Sequence, residues 1–169
     1  EKESGTIEQI NVSPVSRVTF TLSKLIPCWI IGLMVLTFAM TIAWLAYGLV
    51  PTGSLLTIYA ATLLFSFVMS GFGVAVANCS STMQQSMYVM FFFIVIFQLM
   101  SGLMTPIDSM PQWAQYITYL VPPRYFIEIM RAVYLKGSAM QDLWPEFVVL
   151  AVIAAVMSLI AMLTYKKQS

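Results

Sequence analysis

Apolar and polar positions do not alternate along this chain. The apolar residues gather into four long runs, over residues 25–49, 55–78, 85–105 and 145–165. A helix crosses a bilayer in about 20 predominantly apolar residues, so each run is long enough to span. VPTGS, a tight-turn signal, separates the first run from the second, and the uncharged NCSSTMQQ separates the second from the third. A longer segment, residues 106–144, separates the third from the fourth. The pattern predicts an all-α membrane protein with four transmembrane helices, because in lipid every backbone amide must be satisfied within its own segment or a closed barrel.

Composition strengthens this reading. Apolar residues make up 60% of the chain and charged residues 9%, against about 25% charged in ordinary globular proteins. No Asp, Glu, Lys or Arg occurs between residues 25 and 107. Four crossings place both ends on one side of the membrane. Lys2, Arg17, Lys24, Lys166 and Lys167 lie on that side, while Arg124, Arg131 and Lys136 lie opposite, among Asp108, Glu128, Asp142 and Glu146. This bias puts both ends in the cytoplasm. Trp44, Tyr47, Trp144 and Tyr165 sit near the span ends, where interfacial aromatic belts form. A net charge of +1 gives no nucleic-acid footprint. The chain has no His, which removes Ser-His catalysis and His-ligated metal sites, and no metal site is expected. Cys28 and Cys79 lie far apart, in or beside apolar runs; they read first as packing residues and second as a disulfide or redox pair.

Within the spans, Ser66 and Ser70, Gly71 and Ala75, and Gly73 and Ala77 recur at four-residue spacing. Such spacing lets helix backbones approach closely, either inside the bundle or at a subunit interface. Gln98 is the main polar side chain deep in a span, with Thr37 and Thr41 weaker. It reads as a hydrogen-bond donor to a neighbouring helix or as part of a substrate path. Pro27 should kink the first span or mark where it enters lipid.

Residues 106–144 predict two short helices. Ser109-Met110-Pro111 reads as a cap followed by a first-turn proline. Met110, Trp113, Ile117 and Leu120 then share a face, and Pro122-Pro123 breaks that helix. A second starts near Arg124, with Ile127, Met130 and Tyr134 on one face and Arg124, Glu128 and Arg131 on another. Lys136 and Gly137 close it. At ~10–14 residues each, neither can span, and both suit an external re-entrant hairpin before the last crossing.

The opening stretch, EKESGTIEQINVSPVSR, is polar and helix-like. Thr6 and Gln9 fit a capping box, with Ile7 and Ile10 on one face and Glu8 and Gln9 elsewhere. Ser13-Pro14 reads as an elbow that caps a second helix, running through Arg17 and Lys24 into the first span. Residues 1–24 thus predict a cytoplasmic helix and elbow, either resting on lipid headgroups or transmitting force.

This opening resembles the cytoplasmic element of permease subunits in ATP-binding-cassette exporters of the type-2 class. The resemblance rests on Glu1-Lys2-Glu3, Gly5-Thr6, Ile7, Glu8, Ser13-Pro14 and Arg17, in that order. The segment SGLMTPIDSMPQWAQYITYLVPPRYFIEIMRAVYLKG resembles the same family near its last span, through Gly102, Pro106, Met110-Pro111, Trp113, Pro122 and the Arg131-to-Gly137 close. The resemblance implies a coupling helix, Gly5, Thr6, Ile7, Glu8, Gln9 and Ile10, docked on a separate nucleotide-binding ATPase subunit. It implies external helices capping a path between this subunit and a second permease subunit, identical or not, in a bacterial inner membrane. ATP and Mg would bind the partner, leaving no cofactor in this chain, which has no Walker-type run. Such permeases have six spans, so the sequence is expected to be a C-terminal portion that begins where the second span meets the cytoplasm.

Three other classes compete. An intramembrane protease needs Ser with His, paired aspartates or a zinc site within the membrane, and this chain has no His and carries Asp108 and Asp142 outside the spans. An ion-coupled carrier places ionisable groups at mid-membrane, where these runs have none. A non-transporting membrane scaffold or assembly subunit shares the apolar pattern and is separated only by whether an ATPase copurifies.

Overall fold

The structure is a computed structural model and describes residues 16–166. Four of its helices are long and apolar enough to cross a membrane. α1 runs Arg17–Tyr47, α2 Leu55–Cys79 and α3 Met83–Met100. After a 3₁₀ turn at Ile107–Ser109 come two short helices, α4 (Gln112–Thr118) and α5 (Pro122–Arg131). α5 runs on into a π-turn, Ala132–Lys136, and α6 (Trp144–Lys166) closes the chain's described part. No strand occurs among the described residues.

Local chemistry sets the ends. α1 starts at Arg17, where the Ser16 hydroxyl accepts from the Thr19 amide at 3.2 Å. The helix therefore begins three residues beyond the expected Ser13-Pro14 elbow, which lies outside the described residues. Ser16 can cap because its extended backbone leaves its hydroxyl facing the orphan first-turn amides. Gly48 ends α1 with φ 64° and donates to the Trp44 carbonyl at 2.9 Å, a left-handed turn that glycine enters without a Cβ penalty. Pro27 lies inside α1, which continues through it. At 31 residues, α1 is about 45 Å long, more than the ~30 Å hydrocarbon core, so its apolar stretch and its basic first turns form one rod. α3 is shorter than expected. Thr82 caps it by accepting from the Gln85 amide, and it stops at Met100, five residues before the predicted end. Ser101 and Gly102 turn the chain there, Gly102 at φ 81° with the Ile107 side chain packed against it.

Contacts between helices fix the topology. Trp29 meets Ser70 and Thr37 meets Tyr59, so α1 and α2 are antiparallel. Ile58 and Ala61 pack with Leu143 and Phe147, Val68 with Leu150 and Ala154, and Asn78 reaches the Ala161 carbonyl. α2 and α6 therefore run parallel, as two spans with the same direction of crossing must. A Cβ on Gly71 would sit 3.3 Å from the Met157 Cβ, which marks their closest approach. The Gly71 and Ala75 pair serves internal packing, one of the two roles expected for it; Gly73 has open space around it. α3 touches this core mainly through Phe93 and Phe97, whose rings lie 5.1 and 5.4 Å from that of Phe72.

Candidate functional site

The hairpin between α3 and α6 carries Arg124, Glu128 and Arg131, the charged side chains singled out in that segment of the sequence. α4 is seven residues long, shorter than expected, because Pro111 rather than Ser109 stands at its N-cap. Ser109 instead closes the 3₁₀ turn, donating to the Pro106 carbonyl at 2.6 Å. Gln115 ties α4 to the segment before it through the Met110 carbonyl at 2.9 Å. α5 begins at Pro122, its fixed φ suited to a first turn, two residues before the start expected near Arg124.

Burial divides the two helices sharply. On α4 the small and polar residues Ala114 and Thr118 face inward, while Trp113, Ile117 and Leu120 face out. On α5 the inward stripe is Tyr125, Ile129 and Val133, at helical spacing of four. Ile127 and Met130, on the face favoured by sequence reasoning, are only half-buried. Tyr125 packs against Val68, Leu150 and Ala154, and Phe126 stacks on Phe65 at 4.6 Å. Val68 lies about 20 Å along α2 from Leu55 at the helical rise. α5 is therefore wedged beside α2 and α6 for part of their length.

Arg124 organises the inner end of this wedge. Its Nε donates to Glu128 Oε1 at 3.0 Å, its Nη1 donates to the Thr118 hydroxyl, and its guanidinium lies 4.3 Å from the Tyr119 ring centre. The Arg124 side chain is only 14% exposed, so these contacts decide whether its charge is tolerated there. Thr118 in turn donates to the Gln115 carbonyl at 2.6 Å, and Tyr125 donates to the Tyr119 carbonyl at 2.7 Å. Burial pushes the Tyr125 phenol above its ordinary value; Arg124 pulls it down, and Glu128 and Tyr119 add to the rise. Tyr125 thus stays a neutral donor. Arg131 reaches the other way, donating to the Gly102 carbonyl at 3.0 Å and tying the end of α3 to α5.

A second clasp was not expected from the sequence. Val133 and Tyr134 lie in the last turn before Gly137, where helix carbonyls lack a partner further along the chain. The Gly53 amide takes the Val133 carbonyl at 3.0 Å and the Thr52 hydroxyl takes that of Tyr134 at 3.1 Å. A Cβ on Gly53 would sit 2.8 Å from Val133 Cγ1, so only glycine fits against the turn. VPTGS is legible as a turn, but nothing in it names its partner some eighty residues on.

The remaining predicted residues are more dispersed. Pro106 is exposed, and Pro122 is buried. Gln98 is exposed on α3, and its side chain bonds no other helix among the described residues, so the expected internal hydrogen bond is not made. Arg17 opens α1. Gly5, Thr6, Ile7, Glu8, Gln9 and Ile10 lie outside the described residues. Among the described residues no three His, Cys, Asp or Glu side chains come together to hold a metal ion.

Comparison with known proteins follows this architecture. The family model described as "ABC-2 family transporter protein" matches residues 1–163. The chain is 32% identical over 155 residues to the "Probable multidrug ABC transporter permease YbhR" of Escherichia coli K12, covering 92% of this chain and 42% of that protein. It is 28% identical over 171 residues to the "Inner membrane transport permease YhhJ" of the same strain, covering 99% and 45%. It is 28% identical over 139 residues to that strain's "Probable multidrug ABC transporter permease YbhS", covering 82% and 37%. The chain thus spans less than half the length of these curated relatives. No solved structure matches it.

Proposed function

The chain belongs to the ABC-2 family of transporter proteins, and from that premise we propose that it forms part of the permease of an ATP-driven exporter. In this reading a separate nucleotide-binding subunit hydrolyses ATP, with its Mg, and this chain turns that work into a change of membrane path. Residues 1–24 form the cytoplasmic coupling element, with Gly5 to Ile10 as its docking face and Glu8 and Gln9 turned to the ATPase. Both chain ends lie in the cytoplasm, as the Lys and Arg bias directs. α1 is the lever: one rod of 31 residues carries motion from its basic first turns across the bilayer.

One observation carries the pairing with a second permease subunit. Gln84, Tyr88, Phe91, Val95 and Gln98 recur on α3 at spacings of four and three, and all are exposed. Glutamine is costly against hydrocarbon, so a stripe with glutamine at both ends suits a protein or path surface better than lipid. We assign this face of α3 to the second subunit and the substrate path, with Gln98 as the path's polar group. The re-entrant hairpin, α4 and α5, then caps the path on the far side, braced by Arg124, Glu128 and Arg131. A largely apolar wall suits a hydrophobic or amphipathic cargo, in keeping with the word "multidrug" in the names of YbhR and YbhS.

Replacing Glu8 and Gln9 by Ala in the intact permease tests the coupling. Export and cargo-stimulated ATP hydrolysis should both fall while assembly of the membrane subunits persists. Unchanged export and stimulation would remove the docking face from these residues. Copurification of an ATPase with the intact permease separates this reading from a non-transporting scaffold.

A further inference from the structure

Two distant turns of the chain meet on one short stretch, residues 131–137. From one side comes the turn between α1 and α2. Besides the bonds to the Val133 and Tyr134 carbonyls, Gly53 stands so close that a Cβ would lie 2.9 Å from the Val133 carbonyl oxygen and 3.2 Å from that of Ser138. Gly137 is nearly as tight, since a Cβ there would lie 3.3 Å from the Thr52 hydroxyl. From the other side comes the end of α3, where the Gly102 carbonyl takes the Arg131 guanidinium at 3.0 Å. Arg131 and Val133 are two residues apart, about 3 Å along the helix axis, so the two joints are neighbours.

The joined pieces differ in how firmly they are held elsewhere. Ile129 and Val133 have no exposed surface and pack with Ile58, Ala61, Leu143 and Phe147. An element packed this closely shifts as a body instead of yielding locally. α3, in contrast, buries no residue and meets α2 through phenylalanine rings. In lipid, apolar contact gives one position of such a span little advantage over the next, whereas a hydrogen bond does favour one. The bond from Arg131 therefore sets where the hairpin end of α3 stands. On the opposite side, Thr52 follows four residues after Gly48, where α1 ends.

We propose that Arg131 is a positioning residue for α3, the last member of a relay formed by residues 131–134. The turn that follows α1 bears on Val133 and Tyr134, α5 moves as a body, and Arg131 carries the movement to the end of α3. The inference rests on the transport reading only for its use: there, the stroke of α1 reaches the path wall on α3 through this joint.

The test measures the distance from α3 to α6 by pulsed electron paramagnetic resonance in the intact permease with its partner subunits. Spin labels go on Leu99→Cys and Val152→Cys, both exposed, with every other cysteine, Cys28 and Cys79 included, replaced by serine. Arg131→Met should shift the mean distance by about 2 Å, the size of helix shifts at packed joints, and Arg131→Lys, still a donor, should hold it. Gly53→Ala presses on Val133 and should shift it too, from the far side of the joint. In the double variant Gly53→Ala should add nothing to Arg131→Met, because the connection it acts through is cut. Gly48→Ala strains the same turn through its φ of 64° but meets no atom within 4 Å, and it should leave the distance alone. Thr52→Val drops one hydroxyl bond without adding bulk and should broaden the distance distribution, which keeps the test open where Gly53→Ala fails to fold. A distance that ignores both Gly53→Ala and Thr52→Val would overturn the relay. So would additive shifts in the double variant, or a shift from Gly48→Ala as large as that from Gly53→Ala. The distances are read without ATP or cargo, so the relay and the export reading stand or fail separately.

Discussion

α2 and α3 are both uncharged, both apolar and joined by a three-residue turn, yet they are held by opposite means. α2 buries Ile58, Ala61, Val68, Ala75 and Asn78, and it closes on α6 where Gly71 brings the two backbones together. α3 buries no residue; it leans on α2 through phenylalanine rings and is tied at its end by Arg131 to Gly102. The contrast follows from the solvent. Lipid tails are as apolar as Leu or Phe, so greasiness does not drive one span against another; close backbone approach and interhelical hydrogen bonds do. α2 has Gly, Ala and Asn on its inner face, and α3 has Met, Phe and Gln. The first is a seam closed within the chain, and the second stays largely exposed. The hairpin stands between them, built like soluble protein but wedged among spans.

The sharpest break is at the seam. Gly71→Leu should destabilise the intact permease by about 3 kcal/mol, since the new side chain meets Met157 side chain and backbone. Gly73→Leu, two residues away in open space, should leave the melting temperature in detergent unchanged. Equal losses from the two would erase the distinction between α2's two faces. Next comes the hairpin. Arg124→Met strips Glu128 and Thr118 of their shared donor, and thermal unfolding should register about 2 kcal/mol.

Tyr125→Phe removes one hydrogen bond, to the Tyr119 carbonyl, for about 1 kcal/mol. Its pH dependence has a definite sign. The phenol's value is raised by burial, so its contribution is complete below the ordinary tyrosine value of 10.0 and fades as pH climbs through the raised one. Wild type should lose stability in that alkaline window, and Tyr125→Phe should lose less. The smallest stability effect belongs to α3. Gln98→Leu should shift unfolding by less than about 0.5 kcal/mol, while export and subunit cross-linking through α3 change. A large fall in stability would mean that Gln98 is held within its own subunit after all.

Much of the fold was legible because membrane spans announce themselves by unbroken apolar length. The second and fourth spans match their predicted ends within a residue or two, and the first, predicted over 25–49, overruns by two residues a helix that starts earlier, at Arg17. α3 was placed five residues too long at its C-terminal end because SGLMT is as apolar as a helix, and only the positive φ of Gly102 shows the turn. Arg124 and Glu128 were paired from their spacing, and that pair forms. Thr118 and Tyr119 were missed as their companions, since a threonine and a tyrosine in a short helix carry no signal of what they will face. Tyr125, Ile129 and Val133 had the right spacing, but so did Ile127, Met130 and Tyr134, and periodicity does not choose between faces.

Sequence by itself determined that this chain lives in lipid, how many times it crosses, where it turns and which family it belongs to. Those properties are sums over many residues, or short motifs, and neither needs a partner to be read. Tertiary structure decided which small residues touch, that α5 packs beside the α2–α6 pair, that residues 52 and 53 clasp a π-turn far along the chain, and that a cavity remains beside α1. Each of these depends on how two distant surfaces meet, and in a bilayer, where apolar residues are equally content against lipid or protein, only geometry settles that choice.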